Sequence, residues 1–526
     1  ASLNRKLADF YIEGLPLPFV MSIEVDMKDS DHRLLYLQGP STILPDTTYY
    51  GEGMEQQKAA LLGMWSNMAK AVLAYTPLSE EDQVKYIEDA IKFDAIIAGL
   101  VKSSQEWSEY TKMYNIVSTR TASSLLKPLK FRKLLVKLFG EAPEKVSLAD
   151  VRFIKNFKTL FNEENFILYK HWAYVDELLG STNLLSEELR EIGGSYSRAL
   201  RGVPAMSKVD VYAYHFASSM FSQPVGIYYG KKYFGEEAKK DVVEMVKEII
   251  ETYKKRMREN DFLLETTKEK AILKLSKMEI KMGYPDKVDA IYDKLVWEGK
   301  KSLYAVVSEL GRIRSLDKIS KLNEKVDRTK WAMPGHMVNA CYDPTNNDIT
   351  FPAAILQAPF YSIKQSRSQN LGGIGAVIGH EISHAFDNNG ANCDENGNLN
   401  NWWGKEDTKA FKKKTKNMIK EFEGIELPWG PVNSELIVSE NIADNGGMGV
   451  TLDIMSRMKD ANYEEYFINW AKVDGDYNYL YTYSIDDNFI NSYRFLFKDE
   501  IKILAIGNSF SVDCMEYLYQ MFDLIY

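Results

Sequence analysis

The sequence predicts a mainly α-helical protein in which a large helical domain precedes a smaller α+β domain. The chain has 526 residues, a length that favours two or three domains. Residues 55–75 and 237–260 carry apolar side chains at three- and four-residue spacing, which is the period of an amphipathic helix. Residues 338–342 and 348–352 instead favour two short strands. The change in pattern indicates a boundary between two kinds of domain.

We place this boundary at about residue 285, so that the predicted domains are residues 1–285 and 286–473. In the first domain, Ser79 and Ser147 are each followed three residues later by an aspartate and fit N-terminal capping boxes. In the second, the turn-rich residues 343–347 join the two predicted strands. An edge strand there could bind an extended peptide by main-chain hydrogen bonds. The alternative is a plain structural hairpin.

The composition excludes several kinds of partner. The formal net charge of −9 argues against nucleic acid, and the lysines at 412–414 are interpreted as a solvated helix face. No apolar run approaches the length of about 18 residues needed to cross a bilayer. Cys341, Cys393 and Cys514 are too few and too scattered for a disulfide framework.

The strongest chemical signal is the pattern His-Glu-Ile-Ser-His at residues 380–384. Residues four apart share a helix face, so His380 and His384 can place two imidazole nitrogens on one ion, with Glu381 beside it. The alternative interpretation is a surface helix that carries these residues without binding metal.

Residues on a second predicted helix complete the pattern. Glu440 offers a third ligand, and a catalytic zinc site keeps its fourth position open. Asp444, one turn further on, can accept the outer N–H of a zinc-bound histidine and hold its tautomer. These residues together predict a catalytic zinc site.

Glycines precede the two histidines at positions 372, 373, 375 and 379, among apolar residues. Each interior glycine costs a helix up to about 1 kcal/mol relative to alanine. We expect this cost to be offset because the helix packs closely against other backbone. A buried helix of this kind needs a partner for its polar groups, and a metal ion provides one.

Several segments of the chain resemble, in order, one family of enzymes. They are residues 338–342, 349–357, 372–384, 397–403 and 432–447, with weaker similarity from residue 4 onward. The chain is similar to the neprilysin and endothelin-converting-enzyme family of gluzincin zinc metallopeptidases, in its bacterial oligopeptidase form. The similarity covers roughly residues 4–473.

The resemblance implies a helical cap domain, whose start is missing from this chain, and a thermolysin-like α+β zinc catalytic domain. It also implies one Zn²⁺ per chain, oligopeptide substrates and cleavage before hydrophobic residues. Glu381 would be the general base, with Asp444 beside it in the catalytic machinery. The helical domain would enclose a chamber that admits only peptides.

Further residues match the family's substrate contacts. The resemblance implies that Asn339 and the backbone of Ala340 hold the peptide main chain. Ile355, Phe360 and Val377 match the walls of a pocket for the hydrophobic residue after the cut.

Cysteine-protease chemistry is a disfavoured alternative. Cys341 stands where the family usually has an aromatic residue, and His336 is the nearest histidine in sequence. Residues five apart on a strand-like segment need not face each other, so a cysteine nucleophile lacks its base.

The end of the chain departs from the family. Relatives continue to a C-terminal histidine and arginine that stabilise the oxyanion and bind the substrate carbonyl, whereas this chain has no histidine after His384. We therefore expect impaired peptidase activity, and the alternative is an inactive remnant that only binds peptides.

Residues 474–526 form a predicted divergent tail. Residues 501–511 resemble the first block of SGNH-type esterases, with Ser509 at a strand-to-helix turn, but no later histidine could activate this serine. We expect Ser509 to be inert.

The chain begins with Ala1 and shows no signal peptide. We expect an exported bacterial protein, periplasmic or extracellular, whose N-terminal signal is absent from this chain. A cytoplasmic location is the alternative.

Overall fold

The computed structural model of the protein describes residues 3–427 and 430–474, which form two compact units. Of the described residues, the first unit comprises 3–219 and 289–326, and the second comprises 220–288, 327–427 and 430–474. The predicted mainly α fold class is confirmed, because helices dominate and the strands of the described residues form three small sheets.

The helices of the described residues are numbered in chain order. They are α1 Leu3–Glu13, α2 Glu55–Leu73, α3 Glu80–Ala98, α4 Ser104–Ser108, α5 Thr119–Leu125, α6 Phe131–Phe139, α7 Val151–Lys155, α8 Phe157–Leu160, α9 Phe166–Ser181, α10 Glu187–Gly193, α11 Ser195–Leu200, α12 Val209–Met220, α13 Ser222–Tyr233, α14 Gly235–Arg258, α15 Glu265–Ser276, α16 Ile291–Lys294, α17 Leu303–Ser320, α18 Arg367–Asn370, α19 Ala376–Ser383, α20 Lys405–Phe422, α21 Val438–Arg457 and α22 Tyr463–Asp474. A π-helical turn, Leu371–Gly375, leads directly into α19.

The strands are numbered in the same way. They are β1 Val20–Asp26, β2 Asp29–Gln38, β3 Ile116–Ser118, β4 Lys145–Leu148, β5 Glu279–Gly283, β6 Cys341–Asp343, β7 Asp348–Pro352, β8 Glu426–Leu427 and β9 Gly430–Pro431.

In the first unit, helices surround a four-stranded sheet of order β1-β2-β4-β3. Strands β1 and β2 pair antiparallel, whereas β2 and β4 pair parallel. The interior is rich in aromatic rings. Phe19 meets Phe131 and Phe157 edge to face, with ring centroids 5.9 and 6.3 Å apart. Such pairs add to the gain from burying apolar area.

The predicted helix starts of the first unit are partly correct. Ser79 is the N-cap of α3, and its hydroxyl accepts a hydrogen bond from the backbone N–H of Asp82. The prediction for Ser147 was wrong, because this residue lies inside β4. The helix begins three residues later, where the side chain of Asp150 caps α7 by accepting from the backbone N–H of Phe153.

The second unit contains a three-stranded sheet of order β5-β7-β6, in which β5 contacts α14 and β6 contacts α19. Strand β5 runs parallel to β7, and β6 runs antiparallel to it with Cys341 opposite Thr350. The strand predicted at 348–352 matches β7. The strand predicted at 338–342 is displaced, because pairing begins only at Cys341. Strand β6 is an edge of this sheet.

The compact units do not follow the predicted boundary at residue 285. Helix α14 belongs with the second unit, because its apolar face, including Val246 and Ile249, is buried in the same core as Ile378 and Val450. Residues 289–326 belong with the first unit, whose core contains Leu322. The helical residues on either side of position 285 are therefore buried in different cores, and the helical pattern of the sequence does not show which helix belongs to which core.

Among the described residues, every helix is too short or too polar to cross a membrane.

Candidate metal centre

Two crossing helices of the second unit bring the predicted metal ligands together. Helix α19 carries His380 and Glu381 and ends at Ser383, so that His384 is its C-cap. Glu440 and Asp444 lie on α21.

The crossing depends on two glycines. A Cβ on Gly379 would lie 2.7 Å from the Cα of Gly447, and a Cβ on Gly447 would lie 2.6 Å from the backbone nitrogen of His380. Only hydrogen fits at both positions, which explains the glycine that the sequence places immediately before His380.

Three potential ligand atoms converge at the crossing. The Nε2 atoms of His380 and His384 are 3.0 Å apart. One oxygen of Glu440, Oε2, lies 3.4 Å from the first and 3.5 Å from the second. Among the described residues, these three side chains form the one group of histidine, cysteine and acidic residues with ligand atoms within 4.8 Å of one another.

Both histidines have their outer nitrogens bound to carboxylates. The Nδ1–H of His380 donates to Asp444 at 2.5 Å, and the Nδ1–H of His384 donates to Asp387 at 2.8 Å. In the neutral form that binds a metal, a proton on Nδ1 leaves each ring with a lone pair on Nε2, so both rings then present acceptors to the convergence point.

This donor set fits a metal cation. Oε2 of Glu440 is buried and has no hydrogen-bond partner, although it faces the two Nε2 atoms. Burial works to raise the pKa of Glu440, but the two imidazoles outweigh it and lower that pKa to about 2. Three acceptor atoms without a proton donor are best satisfied by a cation, and two imidazoles with one carboxylate suit Zn²⁺.

Negative charge surrounds the two imidazoles. Burial lowers the pKa of His384, but the hydrogen bond to Asp387 and the nearby carboxylate of Glu440 outweigh it and raise that pKa to about 10. Burial lowers the pKa of His380, but the charge and hydrogen bond of Asp444, together with the carboxylates of Glu440 and Glu381, outweigh it and raise that pKa. A divalent cation would neutralise part of this excess negative charge.

Asp387 is the one outer carboxylate that the sequence reasoning missed. Its Oδ1 accepts the backbone N–H groups of Asn389 and Gly390 at 2.7 and 2.6 Å, and its Oδ2 also accepts the hydroxyl of Ser439. The sequence signal that could have identified it is its position three residues after His384, from which an aspartate side chain can reach back to the Nδ1 of that histidine.

Glu381 is positioned beside the convergence point but is not part of it. Its side chain is only 6% exposed, and the backbone of Tyr342 hydrogen-bonds the carboxylate. Burial raises the pKa of Glu381. Burial raises the pKa of the neighbouring Cys341 thiol to about 12, which disfavours the nucleophilic thiolate form.

The predicted substrate residues lie in the same unit. Ile355 and Phe360 are buried in its core, and Val377, on α19, is half-buried against that core. Ala340 is also buried, whereas Asn339 is half-buried and its Oδ1 accepts the backbone N–H of Ala340 at 2.9 Å. Both residues immediately precede the edge strand β6.

Two histidines and a glutamate from crossing helices, next to a buried carboxylate, are the hallmark of metal-dependent hydrolases of the His-Glu-x-x-His class. Sequence profiles described as peptidase family M13 match residues 1–285, by the family's N-terminal part, and residues 339–486. The chain belongs to peptidase family M13. Its match continues to residue 486, beyond the predicted end at 473.

Bacterial relatives are similar over most of the chain. The neutral endopeptidase of Lactococcus lactis subsp. lactis (strain IL1403) is 44% identical over 458 residues, which are 87% of this chain and 72% of that protein. The neutral endopeptidase of Lactobacillus helveticus is 40% identical over 464 residues, which are 88% of this chain and 71% of the relative. Human endothelin-converting enzyme 1 is 26% identical over 486 residues, which are 89% and 61% of the two chains.

Solved structures agree with this assignment. PepO from Lactobacillus rhamnosis HN001 aligns with a TM-score of 0.86 at 38% identity, covering 90% of this chain and 75% of that one. The Mycobacterium tuberculosis zinc metalloprotease Zmp1, solved with an inhibitor, aligns with a TM-score of 0.81 at 25% identity, covering 90% and 74%. The protein is a zinc metallopeptidase and, as a class, a metalloendopeptidase hydrolase.

The predicted esterase-like stretch, including Ser509, lies outside the described residues.

Proposed function

We propose that this chain hydrolyses small peptides on the amino side of large hydrophobic residues, with one zinc ion per chain held by His380, His384 and Glu440. The observation that carries the proposal is the convergence of their three acceptor atoms beside the buried carboxylate of Glu381.

The zinc ion, when bound, supplies a Lewis acid that polarises a carbonyl and lowers the pKa of a coordinated water to about 7. The residues of the chain orient the groups and move the proton. Glu381 accepts a proton from the attacking water on its carboxylate and passes it to the nitrogen of the leaving amine. Asp444 and Asp387 keep the Nδ1 protons of the two histidines in place, so that the Nε2 lone pairs stay directed inward.

The substrate main chain is proposed to lie along Asn339, Ala340 and the edge strand β6. Main-chain pairing with an edge strand gives affinity without strict sequence preference. The hydrophobic preference is proposed to come from Ile355, Phe360 and Val377. Support comes from the position of Val377 on α19, three residues before His380.

The test uses the zinc-loaded protein and quenched fluorescent peptides that differ in the residue after the cut. We expect cleavage that stops with chelator, returns with zinc, and is faster before phenylalanine or leucine than before aspartate. Metal analysis is expected to give one zinc per chain. Cleavage that persists without metal would contradict the proposal.

A second measurement tests the general base. Glu381→Gln is expected to keep its zinc and lose roughly 10²–10⁴-fold in kcat. Glu406→Gln, an exposed glutamate on α20, is the matched control and should be unchanged. A Glu381→Gln protein with normal turnover would show that another group accepts the proton.

A second candidate function is peptide binding with impaired or absent turnover. Residues 385–526 contain no histidine, and Arg494 is the one arginine in residues 458–526, so these residues do not supply the histidine and arginine that the family resemblance implies. Loss of an oxyanion donor typically costs roughly 10²–10³-fold in kcat. Tight binding of a labelled peptide without chelator-sensitive cleavage would favour this candidate over the first.

We also propose that the protein acts outside the cytoplasm, as the resemblance suggested. Fractionation of the source cells tests this location, and recovery with a cytoplasmic marker enzyme would contradict it.

A further inference from the structure

A completely buried lysine contacts the segment that follows the proposed ligand His384. Lys274 lies near the end of α15, is 0% exposed, and donates from Nζ to three backbone carbonyls. These belong to Ala385, Gly390 and Cys393, at 2.8, 2.8 and 2.7 Å. Burial of an ammonium group costs several kcal/mol unless its protons are bonded, and here all three are.

The three hydrogen bonds go to a single segment, residues 385–393, which begins immediately after the proposed ligand His384. No carboxylate among the described residues forms an ion pair with Lys274. Burial lowers the pKa of Lys274 to about 8. Three carbonyl oxygens accept from its Nζ, and only the ammonium form has a proton for each of them. The ammonium therefore acts on backbone, and it fixes the shape of one short segment.

That segment carries Asp387, the outer partner of His384. Gly390 is held at both ends, because its N–H donates to Asp387 and its carbonyl accepts from Lys274. The carbonyl of Ala385, next to His384, is held by the same ammonium. Lys274 and Asp387 are thus linked through a few backbone atoms.

We infer that Lys274 is a positioning residue for the metal centre: its ammonium shapes residues 385–393 so that Asp387 reaches the Nδ1 of His384, and it thereby sets metal affinity. The inference rests on the proposed metal site. Outer partners of metal ligands typically change metal affinity by about 10–100-fold when they are lost.

The test compares two buried lysines of the same helix. Lys274→Met keeps the length and apolar stem of the side chain but removes the three donors. Lys268→Met is the matched control, because Lys268 is 9% exposed and its Nζ donates to the carbonyl of Arg258 and to Glu265, away from residues 385–393. We expect Lys274→Met to bind zinc about 10–100-fold more weakly in a chelator competition, and the control to stay within about twofold.

Two further readouts separate positioning from general stability. With Co²⁺ in place of zinc, the visible absorption bands report ligand geometry, and they should change in Lys274→Met but not in Lys268→Met. A double-mutant cycle with Asp387→Asn should be strongly non-additive, because once the segment is released Asp387 has little left to contribute. Zinc-affinity losses that simply add, or unchanged Co²⁺ bands, would overturn the inference.

Lys274→Gln, which keeps two donors, takes the place of the methionine variant if that protein does not fold. If neither variant folds, the role of Lys274 is global and the inference is wrong. Wild-type protein that binds no zinc would contradict the proposed function itself. If the wild-type protein binds zinc and Lys274→Met binds it with the same affinity, only the role of this lysine is contradicted.

Discussion

The first unit fills its interior with aromatic rings, whereas the second brings two helix backbones into contact and buries charged groups around them. Phe93, Phe153 and Phe157 are fully buried in the first unit. In the second unit, the backbone of Gly379 contacts that of Gly447, and Lys274 is fully buried. The apolar core depends on buried area, and the metal centre depends on distances between a few atoms.

Stability and site geometry therefore depend on different parts of this protein. Apolar burial is non-directional, so a core of rings tolerates small shifts at modest cost. A ligand set does not, because a displacement of about 1 Å at a reacting centre can cost roughly 100-fold in rate. We therefore expect substitutions in the first unit to change the free energy of unfolding and those at the helix crossing to change metal binding.

The largest effect is expected for Phe153→Ala. Phe153 is 0% exposed, and removal of such a ring typically costs about 3–5 kcal/mol. Chemical denaturation of the zinc-free protein should show this loss in the free energy of unfolding, while the folded protein keeps its zinc affinity. A parallel fall in zinc affinity would show that the two properties are not separable.

A smaller effect, of the opposite kind, is expected for Gly447→Ala. The added methyl group would lie 2.5 Å from the carbonyl oxygen of Ala376, so the helices must move apart and carry Glu440 away from the histidines. We expect zinc binding to weaken by about 100-fold, the upper end of the range for perturbed outer shells.

Gly449→Ala, on the same helix α21, is the matched control. Its new methyl group would lie 3.1 Å from the flexible end of the Arg256 side chain. If chelator competition gave both alanine variants the same zinc affinity, the close crossing would not be what sets the ligand distances.

The smallest effect concerns pH and the first unit. Asp94 is 0% exposed and accepts from the backbone N–H of Ile43 and from the hydroxyl of Tyr50, yet burial outweighs these bonds and raises its pKa to about 6. Between about pH 4 and pH 6 the folded chain holds this proton and the unfolded chain does not. The contribution to stability therefore falls as pH rises, by at most about 1.4 kcal/mol per pH unit.

Asp94→Asn should remove this slope from denaturation curves of the zinc-free protein. Asp26 provides a control of opposite sign, because burial raises its pKa but its hydrogen bonds to Lys145, the backbone of Lys28 and Tyr114 together outweigh burial and lower that pKa. Asp26→Asn should leave the slope between pH 4 and pH 6 unchanged. An unaltered slope in Asp94→Asn would mean that this carboxyl is ionised in the folded state.

Much of the architecture could be predicted because its signals are local. The helix predicted at 55–75 is α2, Glu55–Leu73, and that predicted at 237–260 is α14, Gly235–Arg258. The residues predicted to meet at the metal centre do converge, since four-residue spacing on a helix fixes the relation of His380 and His384.

What could not be predicted depends on partners distant in sequence. The three carbonyls bound by Lys274 lie more than 100 residues away, and nothing in the pattern of α15 distinguishes this lysine from its exposed neighbours. Strand β5 was missed because its pairing with β7 joins residues 279–283 to residues 348–352. Ser147 was misread because strand pairing overrode a capping pattern that fits a helix equally well.

The return of residues 289–326 to the first unit has a practical and biosynthetic consequence. Helix α17 packs against α1 and α6, with Leu310 2% exposed, so this unit is completed by residues made long after its start. During translation it must wait, partly assembled, until residue 326 has left the ribosome. A fragment that ends at residue 285 would lack Leu310 and Leu322, which are buried in the first unit, and we expect it to fold poorly for that reason.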